Sequence, residues 1–354
     1  MSADISIDNT HKKPDKAKTN IEMLMNLSDS LPEFCNGYLL ETGPERAISS
    51  RIAYARELNW FFSYVIDKNL LNSSYQDMKQ ISLTDLKNIT PSMISRYLSN
   101  YLDSGHSRRT TARKRAALSS FFKYMTVNRY LEFNPVDAAT EVKIYQSDQV
   151  IHLTFEEQNY LLHAIESGCT LDENKKPYHH RYVLRDLAIT LLFLDTGMRI
   201  SELHGLNILD IDLASCSAIV TRKGGDIQIL YYSDQTADAI QDYLDYRSNV
   251  VQLQQHDPLF VTEQGKRLSV RAIQQMIDKY TMATFPDKKH LSPHKMRSSF
   301  AMGFYKETKD ILALQRKLGH KSLVATNIYA KATDEQMEKM RSVTAYGRNH
   351  AGDN

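Results

Sequence analysis

The sequence predicts a mainly α protein with a small β-sheet, built as an N-terminal helical domain followed by an α+β domain. Three observations carry this expectation. Apolar residues recur at i, i+3, i+4 and i+7 in several stretches before residue 130. Two alternating apolar segments flank Lys223-Gly224-Gly225-Asp226, and 354 residues are too many for one ordinary core.

Residues 1–20 read as a flexible polar tail, and the helical domain is expected over residues 21–137, opening with the apolar cluster Ile21 to Leu27. Leu58, Phe61, Phe62 and Val65 mark a helix ending near Asp67. Met93, Ile94, Tyr97 and Leu98 mark one that follows Pro91 and stops at Ser104-Gly105. A third starts near Ser107 and buries Ala117, Leu118, Phe121, Phe122 and Met125. Asn134-Pro135 closes this domain, and residues 138–150, polar and without helical period, read as a linker.

The second domain is expected over residues 151–354. Thr154 and Glu157 have capping-box spacing ahead of Tyr160, Leu161 and Leu162. Arg185 to Asp195 is a strongly apolar helix stopped at Gly197, and a short helix begins at Arg199. Ala218 and Val220, then Ile227, Ile229 and Tyr231, form a hairpin whose turn carries Lys223. Further helices are expected near residues 235–246, 269–282, 294–306, 310–318 and 334–340.

Composition excludes several classes. A 42% apolar and 24% charged chain is foldable rather than disordered, and its longest apolar runs fall far short of the roughly 20 residues a spanning helix needs. Residues 1–20 lack the apolar core of a signal peptide, and Cys35, Cys169 and Cys216 form neither a disulfide framework nor a zinc pattern. A cytoplasmic protein without membrane contact is expected. The formal net charge of +2 says little, but between Asp103 and Glu132 there is no acid, whereas Arg108, Arg109, Arg113, Lys114, Arg115, Lys123 and Arg129 all fall there. Such a helix end can reach DNA phosphates, with Thr110, Thr111 and Ala112 allowing close approach; a solvated helix face is the ordinary alternative.

Five pieces of the second domain hold candidate catalytic groups: Arg199 in Thr-Gly-Met-Arg-Ile-Ser-Glu-Leu, Lys223 in the hairpin, His294-Lys-Met-Arg297, Leu318-Gly-His320, and Tyr329. Taken singly, each has an ordinary reading as a surface ion pair, a turn residue, a helix end or packing. Their order and spacing together resemble the tyrosine recombinase (phage integrase) family, most specifically in Leu318 to Tyr329. The resemblance covers nearly the whole chain and is strongest to Xer recombinases that work as a single protein species, notably in Thr221-Arg-Lys-Gly-Gly225. No further domain is expected ahead of the helical one, which resembles the simple Xer and Cre type. Ser298 stands where many Xer-like members carry a second histidine after the arginine, which reads as a tuning difference.

A phosphodiester anion repels an incoming anion, so positive, forked donors to its non-bridging oxygens are required; Arg199 and Arg297 fit. A phenol is roughly one part in a thousand ionised at neutral pH, so Tyr329 needs a proton acceptor, and His294 and His320 are available. The resemblance implies a helical core-binding domain, an α+β catalytic domain, Lys223 as general acid toward the leaving 5′ oxygen, and Glu202 as the acid that orients the arginine and histidine groups. It further implies cleavage and rejoining of double-stranded DNA at a specific recombination site through a 3′-phosphotyrosyl bond. Because that bond stores the energy of the broken linkage, no cofactor, neither ATP nor Mg²⁺, is needed. A tetramer on DNA, docked through a C-terminal helix, is implied as well, and members acting on chromosomes can depend on a DNA translocase. The task would be chromosome-dimer resolution, or integration, excision or inversion of a mobile element. The competing readings are a type IB topoisomerase and a DNA-binding regulator without catalysis.

Overall fold

The computed structural model describes residues 16–41, 46–71, 75–143, 150–174, 176–222, 224–249, 257–288, 291–320 and 322–332. The chain divides into two compact units, residues 1–146 and 147–354.

The first unit contains α1 (Lys16–Ser30), α2 (Ile48–Asp67), α3 (Leu83–Lys87), α4 (Pro91–Asp103) and α5 (Arg108–Val127). Thr90 caps α4 by accepting from the Met93 N–H, and Pro91 occupies the first position, where no intrahelical donor is needed. Ser107 caps α5 in the same way through the Thr110 N–H. Leu58, Phe61, Phe62 and Val65 of α2 meet Phe121, Phe122 and Met125 of α5 in one apolar cluster. The rings pack edge-on, Phe62 against Phe121 at 6.1 Å and Phe61 against Tyr97 at 5.3 Å.

Two boundaries are corrected here. Residues 16–20, read as tail, are the first turns of α1, which packs on α2 and buries Leu24; residues 1–15 lie outside the described residues. Residues 138–143, read as linker, are held to the first unit: Ala139 is buried in its core, and the Thr140 N–H donates to Ser95 Oγ at 2.9 Å. Irregular backbone anchored by single contacts has no period for sequence reading to detect.

The second unit contains α6 (Phe155–Ser167), α7 (Lys176–Thr196), α8 (Ile200–Gly205), strands β1 (Ile211–Asp212), β2 (Ser217–Thr221) and β3 (Ile227–Tyr231), then α9 (Asp234–Ser248), α10 (Val270–Thr284), α11 (Pro293–Thr308), α12 (Ile311–Leu318) and α13 (Val324–Ala332). Thr154 and Glu157 form the expected reciprocal capping box. Helix α7 is central, with Ala188, Ile189, Leu192 and Phe193 fully buried against α6, α9 and α11. It starts at Lys176 and not at Arg185. Its early turns are held by polar tertiary contacts, among them His179, whose Nδ1 and Nε2 each lie 3.3 Å from a partner, Tyr280 Oη and Glu166 O.

The strands form an antiparallel sheet in the order β1-β2-β3, with Ala218 opposite Leu230 and Val220 opposite Gln228. Paired residues share a face, so the inner row is Ala218, Val220, Gln228 and Leu230. Ile227, Ile229 and Tyr231 lie on the exposed outer face, and the two apolar alternations therefore point opposite ways. A smaller apolar cluster joins Phe300, Met302 and Tyr305 of α11, Leu314 and Leu318 of α12, and Tyr329 of α13. The helix expected at 334–340 lies outside the described residues. Among the described residues no helix is long and apolar enough to cross a membrane.

Candidate active site

Helix α12 is capped at its start by Asp310, whose Oδ1 accepts from the Leu312 and Ala313 N–H groups, and stops at Gly319 with φ +59°. The last carbonyls of a helix have no intrahelical donors and carry its negative end. Here three consecutive carbonyls receive three different arginines. Arg222 Nη2 donates to Lys317 O at 2.7 Å, Arg297 Nη2 to Leu318 O, and Arg199 Nη2 to Gly319 O at 3.3 Å. Glycine at 319 meets two demands, since its φ is left-handed and a Cβ there would stand 3.0 Å from Arg222 Nε.

Arg199 is the residue before α8, and Glu202 three residues on closes that helix end. The Arg199 N–H donates to Glu202 Oε2 at 2.7 Å and its Nη1 to Oε1 at 2.8 Å. Arg222 Nη1 reaches Glu202 Oε2 at 2.7 Å, so one carboxylate serves two guanidinium groups. Burial opposes the ionisation of Glu202 most strongly, but the hydrogen bonds from Arg199 and Arg222 and the Arg222 charge outweigh it and hold the carboxyl below its usual range. Arg297 lies one turn into α11 and is 2% exposed; its Nη1 donates to Gly197 O at 2.5 Å. Burial first, then the neighbouring Arg199 charge, lowers its pKa to about 10, which leaves it cationic at neutral pH. Gly197, φ +60°, permits this turn because a Cβ would stand 2.3 Å from the Phe300 ring.

His320 follows Gly319, half-buried, with Nδ1 3.0 Å from Thr326 Oγ1 of α13. Burial, then the charges of Arg297, Arg199, Arg222 and His294, lowers its pKa to about 4, so the imidazole is neutral at pH 7. His294 is exposed in the first turn of α11. A pocket of about 450 Å³ opens here, lined by Arg199, Arg222, Gln228, Gly319, His320 and Ala325 among others. Tyr329 does not line it. Its side chain is 2% exposed, one turn beyond Thr326, and packs in the α11–α13 apolar cluster. Lys223 lies outside the described residues, between Arg222 and Gly224.

The basic segment of the first unit separates into different environments. Arg108 and Arg109 are exposed in the first turn of α5, and Arg113 is largely exposed while its Nη2 lies 3.2 Å from Glu57 Oε1. Arg115 is half-buried and donates to Val136 O at 2.9 Å. Lys114 corrects the sequence reading. It is 1% exposed, its Nζ 2.7 Å from Glu57 Oε2 and 3.8 and 4.3 Å from the ring centres of Trp60 and Tyr101, so its charge is not presented to a phosphate. Thr111 is also buried, donating to Ser107 O, and does not offer a small exposed side chain to a groove.

A family model described as the phage integrase family matches residues 152–336, and one for the SAM-like N-terminal domain of phage integrases matches residues 38–128. The chain belongs to the phage integrase family of tyrosine recombinases. Its relatives include the tyrosine recombinase XerC of Pelobacter propionicus, 30% identical over 313 residues that cover 87% of this chain and 94% of that protein. XerC of Thermodesulfovibrio yellowstonii is 30% identical over 251 residues, 68% of this chain and 77% of that protein. The fold resembles XerH site-specific recombinase bound to palindromic difH substrate in a post-cleavage complex, with TM-score 0.70 at 20% identity over 93% of this chain and 89% of that one. It also resembles a lambda integrase dimer bound to a COC′ core site, with TM-score 0.58 at 18% identity over 82% and 95%.

In this tyrosine recombinase the sequence reading missed Arg222 as part of the arginine cluster. The available signal was strand alternation: Ala218, Val220 and Arg222 occupy one inward row, which puts a cation at the buried end of the hairpin.

Proposed function

We propose that this tyrosine recombinase cuts and rejoins duplex DNA at a specific recombination site through Tyr329, in a Xer-like role. The observation that carries the reading is the convergence of Arg199, Arg222 and Arg297 on the end of α12, beside a neutral His320 and an open pocket.

A phosphodiester entering this pocket meets Arg199, which lines it, and Arg297, buried and bound to Gly197 O and Leu318 O, joins as the second donor to the non-bridging oxygens once one of those bonds is released. The anion offsets the guanidinium field and moves His320 back toward its ordinary pKa, so that substrate binding itself prepares the imidazole for a proton. The Tyr329 oxygen bonds to phosphorus and its proton passes to His320 or His294. The bond to the 5′ oxygen breaks, and Lys223 protonates that leaving group. Glu202 keeps Arg199 aimed. Tyr329 is 2% exposed in the α11–α13 cluster but close enough to Arg297 for their charges to interact, so attack requires its oxygen to become accessible to the bound phosphate.

The first unit contributes phosphate contacts through Arg108, Arg109, Arg113 and Arg115, and four copies assemble on two DNA sites, in the cytoplasm. The similarity to proteins named XerC supports a role on chromosome dimers, with movement of a mobile element as the other task of the same chemistry. The same similarity favours recombination over the topoisomerase and regulator readings. Tyr329→Phe is expected to bind its site yet form no covalent adduct on a nicked suicide duplex; an adduct in that variant would assign the attack to another residue. Sequencing DNA trapped by the wild-type protein identifies the site. Relaxation of plasmids with no exchange between two such sites would overturn the recombinase reading.

A further inference from the structure

We propose that Arg222 is a positioning residue of strand cleavage, fixing the turn that carries Lys223 to the helix end that carries His320. The inference rests on the reading of Lys223 as general acid.

Beyond the last ladder pair, Thr221 opposite Ile227, the turn closes through Arg222: its N–H donates to Asp226 O at 2.7 Å, and its carbonyl accepts from the Gly225 N–H at 3.0 Å. A short turn of two glycines has little stiffness of its own. The Arg222 side chain, 7% exposed, supplies an anchor in three directions: Nε to Gln228 Oε1 on the opposing strand, Nη1 to Glu202 Oε2, and Nη2 to Lys317 O, each at 2.7 Å. Gln228 Nε2 donates in turn to Arg316 O at 3.1 Å. Both strands of the hairpin thus hold the end of α12, one through Lys317 and the other through Arg316. At Ala218 and Leu230 the sheet is seated by apolar packing; at the tip these polar contacts take over.

The geometry suits guanidinium alone. Gln228 Oε1, Glu202 Oε2 and Lys317 O each take a different nitrogen of its rigid fork, whereas an ammonium at the end of a flexible stem would gather its donors at one point. Arg222's Nε, Nη1 and Nη2 are each taken by a protein acceptor, so its effect on the reaction runs through what it holds. A loosened turn leaves phosphate binding by Arg199 and Arg297 intact but delivers the Lys223 proton poorly, and the defect then appears only where the leaving oxygen needs that proton.

The test uses the full chain and a nicked suicide duplex bearing the site recovered from covalently trapped DNA, made with either a bridging 5′ oxygen or a bridging 5′ sulfur at the scissile phosphate. The readout is single-turnover adduct formation. Arg222→Met is expected to slow cleavage of the oxygen substrate on the order of 10²-fold, as for loss of a general acid, and to recover nearly fully on sulfur, with Lys223→Ala behaving the same way. Arg222→Lys should fall between. Equal slowing on both substrates, or none, while Lys223→Ala is rescued by sulfur, overturns the role of Arg222 and leaves the proposed function standing. A Lys223→Ala enzyme that sulfur does not rescue removes the acid assignment and this inference with it. If Arg222→Met fails to fold, Gln228→Leu cuts the same anchor from the other strand. It should show a smaller, still sulfur-rescued loss, and equal rates on the two substrates would again overturn the role.

Discussion

Each unit of the chain buries a glutamate among cations. In the first, Glu57 takes Lys114 at 2.7 Å and Arg113 at 3.2 Å, and the Lys114 ammonium is enclosed by Trp60 and Tyr101. In the second, Glu202 is divided between Arg199 and Arg222, while Arg297 is held by backbone carbonyls, which carry only partial charge. Three guanidinium groups therefore have one directly bonded carboxylate among them, and Arg199 and Arg222 line an open pocket whose wall also carries Asp226. What distinguishes an anion site from an internal ion pair is the count of full negative charges within reach and the access of solvent, and neither is visible in how basic a segment looks.

The largest expected effect lies in the second cluster. Arg297→Lys keeps the charge but loses the fork that spans Gly197 O and Leu318 O, and should lower single-turnover cleavage by about 10²–10³-fold, the range for removing one transition-state donor, with site affinity little changed. A loss below tenfold would make the two clusters alike in function.

The first cluster should answer in stability instead. Lys114→Met leaves Glu57 buried with only the exposed Arg113 and is expected to cost about 3 kcal/mol in chemical denaturation, most of it restored in Glu57→Leu/Lys114→Met. The salt dependence of DNA binding should not change in Lys114→Met, whereas Arg109→Ala should reduce its slope by about 0.9. A flatter salt slope in Lys114→Met would show that this lysine reaches phosphate after all.

The smallest effect is one of pH. Burial and the surrounding cations lower His320 from 6.5 to about 4. Between those values the unfolded chain binds the proton and the folded chain does not, so this group's contribution to stability is complete above about pH 6.5 and declines as the pH falls toward 4. His320→Gln should flatten that part of the stability profile measured by thermal melting; an unchanged profile would mean that the guanidinium field does not reach the imidazole.

These contrasts also show which features were legible in the sequence. The capping box at Thr154, the helix starts at Ser107 and Ser269, and the hairpin around Gly224-Gly225 follow from local chemistry, and the structure has them in place. Arg199, Arg297 and His320 could be picked out by motif spacing, and one helix end gathers them. Lys114 was misread because charge was weighed before period: stepping back from Leu118 along the buried stripe leads to Lys114 and Thr111, and both face the core. The early start of α7 and the anchoring of residues 138–143 depend on partners distant in sequence. So does the burial of Tyr329, because the packing of three helices decides it and no local pattern reports it.

With neighbouring carbonyls at the end of α12 each tied to a different arginine, that terminus cannot unravel by one residue at a time. Opening it would dismantle the cation set in a single event, so amide exchange at Gly319 and His320 should be slow and should report the integrity of all three side chains together.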